Sequence, residues 1–125
     1  MEFFAIAEVA TDEAALRRAL TISALPRFCP SITEVFADEG ETGEIYSVWG
    51  RFRLRREEMR GGVRFTMPTC PNAFQWTLTT GFPPAPDKVV FHGTINRTKH
   101  DPDFIETLED FAAEWKAGLE ANLRP

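Results

Sequence analysis

Apolar and polar positions along this chain follow two periods, and the switches between them outline the fold. At residues 2–10, Phe3, Ala5, Ala7 and Val9 alternate with Phe4 and Ile6, which is the period of a strand. Thr11 then offers a helix cap, and Asp12 and Glu13 suit the positive end of a helix dipole. Leu16, Ala19 and Leu20 recur at helical spacing, so the pattern predicts a short helix over 12–20. Pro26 and Pro30 stop a long continuation and leave a turn or second helical piece to about residue 29.

From residue 31 the period is that of strands. Ile32, Val35 and Phe36 mark a strand over Ser31–Asp38, and Glu39 to Gly43 is a turn. Glu44–Arg56 reads as one long strand. Tyr46, Val48, Phe52 and Leu54 fall on one face, and Ser47, Trp49, Arg51, Arg53 and Arg55 on the other. Arg60-Gly61-Gly62 closes a hairpin onto Val63–Met67, and Pro68 to Asn72 breaks that strand. Ala73–Thr80 follows with Phe74, Trp76 and Leu78 on one face. A stiff loop with three prolines leads to a last strand, Lys88–Arg97, on which His92, Thr94 and Asn96 share a side. Asp101-Pro102 is a strong helix start. Phe104, Leu108, Phe111, Trp115 and Leu119 then repeat at spacings of four, three, four and four, and Ile105, Ala112 and Leu123 widen the stripe. That stripe needs an apolar partner, most simply the sheet. The expected architecture is α+β in one domain over 1–125: a curved antiparallel β-sheet gripping a long C-terminal α-helix, with a short helix after the first strand.

This order of elements resembles the START-like superfamily, also called SRPBCC, Bet v 1-like or helix-grip. Phe4 to Val9 is similar to its opening strand, and Thr11 to Leu16 to the start of its first helix. Leu25-Pro26-Arg27-Phe28-Cys29-Pro30 resembles the segment before its second strand, and Phe104 to Leu119 its gripping helix. The resemblance implies an apolar volume between sheet and helix, and members of the superfamily commonly bind lipids or other hydrophobic molecules there. Phe52, Leu54, Phe65, Met67, Phe74, Trp76, Phe91, Phe111 and Trp115 either line such a pocket or simply fill the core. His92, Thr94 and Asn96 either supply its polar groups or face solvent.

Charge changes the picture in one respect. Lysine plus arginine is 14 and aspartate plus glutamate is 19, so the net charge is 14 − 19 = −5, which excludes a nucleic-acid binder driven by bulk positive charge. The charge is nevertheless polarised. Arg51 to Arg64 holds six arginines against Glu57 and Glu58, and Asp101 to Glu120 holds seven acids against Lys116. Trp49, Arg51, Arg53, Arg55 and Arg64 therefore form a second candidate site, suited to an acidic protein partner or to self-association. The bland alternative is a solvated sheet face.

Little else carries chemistry. Cys29-Pro30 and Cys70-Pro71 match the dipeptide through which some proteins hold haem by a thiolate, but the same cysteines serve equally as turn residues, and no cofactor or metal is assigned. His100, Asp101 and Asp103 cluster in sequence, and helix capping accounts for the aspartates. No phosphate loop, nucleophile elbow or paired-carboxylate pattern is present. With two cysteines, no apolar run of membrane-spanning length and no secretory pattern after Met1, the chain reads as a cytoplasmic protein with free thiols. Cys29 is expected to be more buried than Cys70. The leading expectation is a binder of a hydrophobic or amphipathic small molecule. The alternative is a non-enzymatic interaction module using the arginine face or the acidic helix.

Overall fold

A computed structural model describes residues 1–96 and 101–123. Its strands are β1 (Glu2–Ala7), β2 (Ile32–Asp38), β3 (Thr42–Ser47), β4 (Gly50–Met59), β5 (Gly62–Thr66), β6 (Gln75–Thr79) and β7 (Val89–Thr94). Its helices are α1 (Glu13–Ala19), α2 (Leu25–Phe28) and α3 (Pro102–Asn122), with a short 3₁₀ turn at Ile22–Ala24. The strands form one curved antiparallel sheet in the order β1-β7-β6-β5-β4-β3-β2. This is the α+β arrangement that the periodicity predicts. His100, and the Arg97 and Thr98 of an Asn-Arg-Thr triplet, lie outside the described residues.

Two local readings are corrected and a third is decided between its alternatives. Asp12, not Thr11, caps α1, and its carboxylate accepts the Ala15 amide at 2.8 Å. Glu44–Arg56 is not one strand. Ser47 pairs with Gly50, and Val48-Trp49 form the tip of a hairpin between β3 and β4. The Trp49 amide donates to Ser47 Oγ at 3.2 Å, the Ser47 hydroxyl donates to the Gly50 carbonyl at 3.0 Å, and Gly50 takes a φ of 115° that side chains resist. The turn also resets the faces. Ile45 and Ser47 are buried while Tyr46 and Val48 are exposed, so Tyr46 does not share a face with Phe52 and Leu54 but lies opposite Arg51 on the outer side. Thirdly, His92, Thr94 and Asn96 point outward, because Phe91, Gly93 and Ile95 take the buried positions of their strand. His92 stacks on Phe4 at 4.4 Å between ring centroids and meets Glu2 Oε1 at 2.9 Å.

The core lies between the sheet and α3. Leu108, Phe111, Ala112, Trp115 and Leu119 of α3 are all buried. Trp115 stacks against Phe28 at 6.0 Å and Phe65 at 6.4 Å, and Phe111 meets Trp76 edge-on at 5.0 Å. The indole N–H groups of Trp76 and Trp115 are buried and find no hydrogen-bond acceptor among the described residues, so packing alone holds these rings. Near its end α3 crosses α2 closely. A Cβ at Gly118 would stand 1.8 Å from the Phe28 carbonyl oxygen, so only glycine fits.

Two charged side chains frame this core, and a third, Asp38, fastens the edge of the sheet. Arg56 turns inward from β4 and donates to the Leu20 and Arg17 carbonyls, each at 2.8 Å, at the C-terminal end of α1. Glu114 of α3 accepts the Ser31 amide at 2.6 Å and the Ser31 hydroxyl at 2.7 Å. Asp38, at the end of β2, accepts the Ser23 hydroxyl at 2.6 Å and the Ser23 amide at 3.0 Å.

Replacing Trp115 with alanine is expected to lower stability by about 3–5 kcal/mol in urea unfolding, the cost of emptying a large buried site. A loss no greater than that of an exposed alanine substitution would show that the helix does not grip the sheet. Asp38 supplies a pH signature. Its hydrogen bond from the Ser23 hydroxyl, the largest cause, holds its carboxyl below the usual carboxylate range. The stability it contributes is complete above the unfolded value of about 3.9 and is lost as pH falls through the lower folded value. The Asp38→Asn variant should therefore show a shallower acid loss of stability than the unmodified protein below about pH 4. Superimposable profiles would refute this assignment.

Candidate functional site

The aromatic residues expected around a central pocket fill the middle of the molecule. Phe65, Trp76, Phe91, Phe111 and Trp115 are 0–1% exposed and touch one another ring to ring. Leu54 is equally buried. Space opens toward the start of α3. There Trp49, Phe52, Met67, Cys70, Pro71, Asn72, Phe74, Phe104 and Leu108 enclose a pocket of about 190 Å³.

Each wall has a local cause. The hairpin tip brings in Trp49, which is half-buried rather than on the arginine face. Its indole N–H donates to Thr107 Oγ1 at 2.8 Å, and its ring packs on Phe74 at 5.5 Å and Phe111 at 5.3 Å. The Val48 amide fastens the same tip to the Ser31 carbonyl at 2.9 Å. The prolines at 68 and 71 end β5 and delay β6, and the intervening chain folds back in two turns. The Cys70 amide donates to the Met67 carbonyl and the Ala73 amide to the Cys70 carbonyl, both at 3.0 Å. Ala73 takes a φ of 50°, a left-handed conformation that strains a non-glycine residue beside the pocket wall. Phe104 and Leu108 come from the first turns of α3, where Asp101 accepts the Asp103 amide at 2.8 Å. The lining is apolar except for the Asn72 amide and the Cys70 thiol.

Among the pocket residues, Phe52, Met67 and Phe74 stand in the apolar set read from the sequence, and Trp49 stood in the arginine set. Cys70, Pro71, Asn72, Phe104 and Leu108 were not singled out as lining. The Pro68–Asn72 break marked a loop, but nothing in the sequence aims that loop at the start of α3.

The arginine row is distributed differently from its formal charge. Arg51, Arg53 and Arg55 do project from the outer face. Arg51 pairs with Glu44 and lies 4.3 Å over the Phe36 ring. Glu57 sits between Arg55, at 3.9 Å, and Arg64, at 2.9 Å. The Arg64 hydrogen bond, the largest cause, holds the Glu57 carboxyl below its ordinary range. Among the described residues Arg53 makes no ion pair. An open cleft of about 960 Å³ beside this row is larger than the apolar pocket, but Arg53, Arg55 and Arg56 face Glu41, Glu57 and Glu58 there, so it presents no net charge to an anion.

The two cysteines occupy unlike surroundings. Cys29 is fully buried with Sγ 3.8 Å from Glu114 Oε1. Burial first, and then the Glu114 charge, push its thiol far above the ordinary range, which opposes the thiolate that a nucleophile or a metal ligand requires. Cys70 is partly exposed at the pocket. No cluster of three or more metal-ligating side chains occurs among the described residues.

Comparison with known proteins bears on the fold. The protein XoxI of Bacillus cereus superposes with a TM-score of 0.69 at 12% identity, over 98% of this chain and 94% of that one. An uncharacterised protein of Bacillus thuringiensis gives 0.68 at 12% identity, over 98% of each chain. A START superfamily protein of Mycobacterium smegmatis gives 0.67 at 11% identity, over 98% of this chain and 96% of that one. The fold is START-like. No protein-family model and no curated protein matches the chain. At such low identity the likeness carries architecture alone. Aromatic rings fill the middle of the space between sheet and helix, and an apolar pocket remains where α3 begins. No helix among the described residues is long and apolar enough to cross a membrane.

Under native conditions a thiol reagent should modify Cys70 well before Cys29, read as one fast and one slow equivalent by mass spectrometry. Equal slow reaction of both would remove Cys70 from an accessible pocket wall.

Proposed function

We propose that the protein binds a small hydrophobic or amphipathic molecule in the pocket between the β3–β4 hairpin, the 67–74 segment and the start of α3. One observation carries the reading: an apolar pocket remains at the end of an otherwise filled sheet–helix core, with its polar side chains confined to one wall. A volume of about 190 Å³ sets the scale. A cavity of ~150 Å³ accommodates a benzene ring, whereas drug-sized ligands need ~300 Å³ or more. The occupant is accordingly one ring or a short branched chain, with any larger polar part left outside. Asn72 offers a donor and an acceptor to such a part. The START-like fold supports binding in general and does not name the ligand.

Native mass spectrometry of the purified protein, followed by titration with substituted benzenes and short branched-chain carboxylic acids, tests the reading. A bound molecule is expected to alter Trp49 emission and to slow modification of Cys70. Met67→Trp, which fills the pocket, should abolish both effects while leaving the unfolding midpoint close to that of the unmodified protein. Absence of any adduct, together with Cys70 modification unchanged by every probe, would sink it.

The outer face supports a second reading as a protein-interaction surface. Phe36 and Tyr46 are 43% and 48% exposed and meet edge to face at 6.5 Å, with Arg51 over Phe36. An exposed aromatic pair beside Arg51 and Arg53 suits an acidic protein segment. Binding through it would weaken with added salt, because exposed charges are screened over ~8 Å at physiological ionic strength.

A further inference from the structure

The two edges of the sheet are built differently. Along β2 the pairing with β3 shifts twice, between Ile32 and Glu34 and between Val35 and Ala37, and Glu34 and Asp38 add charge. Bulges and charges are what keep an edge from accepting another strand. β1 carries one charge, Glu2 at its start, but no bulge, proline or lysine, and pairs with β7 through six consecutive residues without a shift.

Alternation shows which of its backbone groups are open. Met1 and Ile95 exchange both backbone bonds, at 3.1 and 3.0 Å. Phe3, Ala5 and Ala7 therefore face β7, and the N–H and C=O groups of Glu2, Phe4 and Ile6 point away from the sheet. Glu8 continues the outward set, donating its amide to the Glu120 carboxylate of α3 at 2.8 Å. Beside this open edge runs a groove of about 430 Å³ between β1 and α3. Phe4 and Ala5 form one wall, Ala112 and Ala113 the other, with Glu109 and Lys116 on the helix to either side. Phe4 is 58% exposed.

We infer that this edge and groove receive the same edge of a second copy, giving a two-fold dimer. Both walls are symmetric about one centre. Phe4 is the middle of the three outward residues, and the Ala112–Ala113 pair lies midway between Glu109 and Lys116. A two-fold axis through that centre runs β1 antiparallel to its mate, Phe4 opposite Phe4 and Glu2 opposite Ile6, and joins two seven-stranded sheets into one. Lys116 is bonded within its own helix to Glu120, the acceptor of the Glu8 amide. The same axis sets α3 antiparallel to α3 and brings Glu109 of each copy to Lys116 of the other, a complementary pair made twice once Lys116 turns to it. Ala113, small and exposed, leaves room for the helices to approach. A foreign extended segment would satisfy the open amides but has no reason to match charges arranged evenly about the centre. An isologous contact does.

Sedimentation equilibrium and native mass spectrometry of the full chain test this directly. The expected species at micromolar concentration is twice 14.2 kDa. Phe4→Lys, a change on an exposed side chain, should weaken association at least tenfold with the circular dichroism spectrum unchanged. Glu109→Lys and Lys116→Glu should each weaken it, and the doubly reversed chain should recover it. Hydrogen exchange should show slow Phe4 and Ile6 amides in the dimer and fast ones in the Phe4→Lys monomer. A monomer at every concentration overturns the inference and leaves the edge to a foreign strand. A dimer indifferent to Phe4→Lys and to both charge reversals overturns it by placing the contact elsewhere.

Discussion

The contact between α3 and the sheet is the constraint on which the rest of the molecule depends. Phe111 and Trp115 wedge among Phe28, Phe65, Trp76 and Phe91. Gly118 permits the same helix to press on the α2 backbone. Together they fix the helix at its middle and at its far end. With the core filled at those places, an apolar pocket remains between sheet and helix where α3 begins. Position of the site thus follows from where bulky residues were spent along one helix.

Single polar side chains tie the surrounding segments to that frame. Glu114 joins α3 to the entry of β2 through Ser31, and Arg56 joins β4 to the end of α1. Trp49 joins the β3–β4 tip to α3 through Thr107. Each link connects parts of the chain distant in sequence. Each also satisfies part-buried groups whose burial without a partner would cost free energy. The Trp49 link differs from the others because its ring is itself pocket wall, so fastening the hairpin and shaping the site are one event.

Much of this was legible in the sequence, for reasons that can be named. The Asp101-Pro102 start and the Phe104 to Leu119 stripe specify α3 almost completely, because cap and period agree. The antiparallel character of the sheet followed from turn residues between successive strands, as at Arg60-Gly61-Gly62. What misled was Ser47 to Gly50, where alternation runs unbroken through a turn made by a serine hydroxyl and one positive-φ glycine. That turn moved Trp49 from the outer face to the pocket and Tyr46 from the inner face to the outside. The arginine row was visible as alternation, but its neutralisation was not. Glu44 and Glu57 reach Arg51 and Arg64 across the ladder, and pairing register is absent from a one-dimensional pattern. The pocket's far wall was hidden for the same reason: the 67–74 segment and the start of α3 meet only in three dimensions.

The pairing of β1 with β7 also has a temporal meaning. Glu2 lies opposite Thr94, so the partner of the first strand emerges some ninety residues later in synthesis. At ordinary ribosomal speeds the Phe-Phe-Ala-Ile segment waits roughly 5–20 s before its mate is available. During that interval both of its edges are bare, including the one that β7 will cover. Closure of the sheet joins its first strand to its last and is a long-range, slow event. The nascent chain therefore carries an unpaired apolar strand through most of its synthesis.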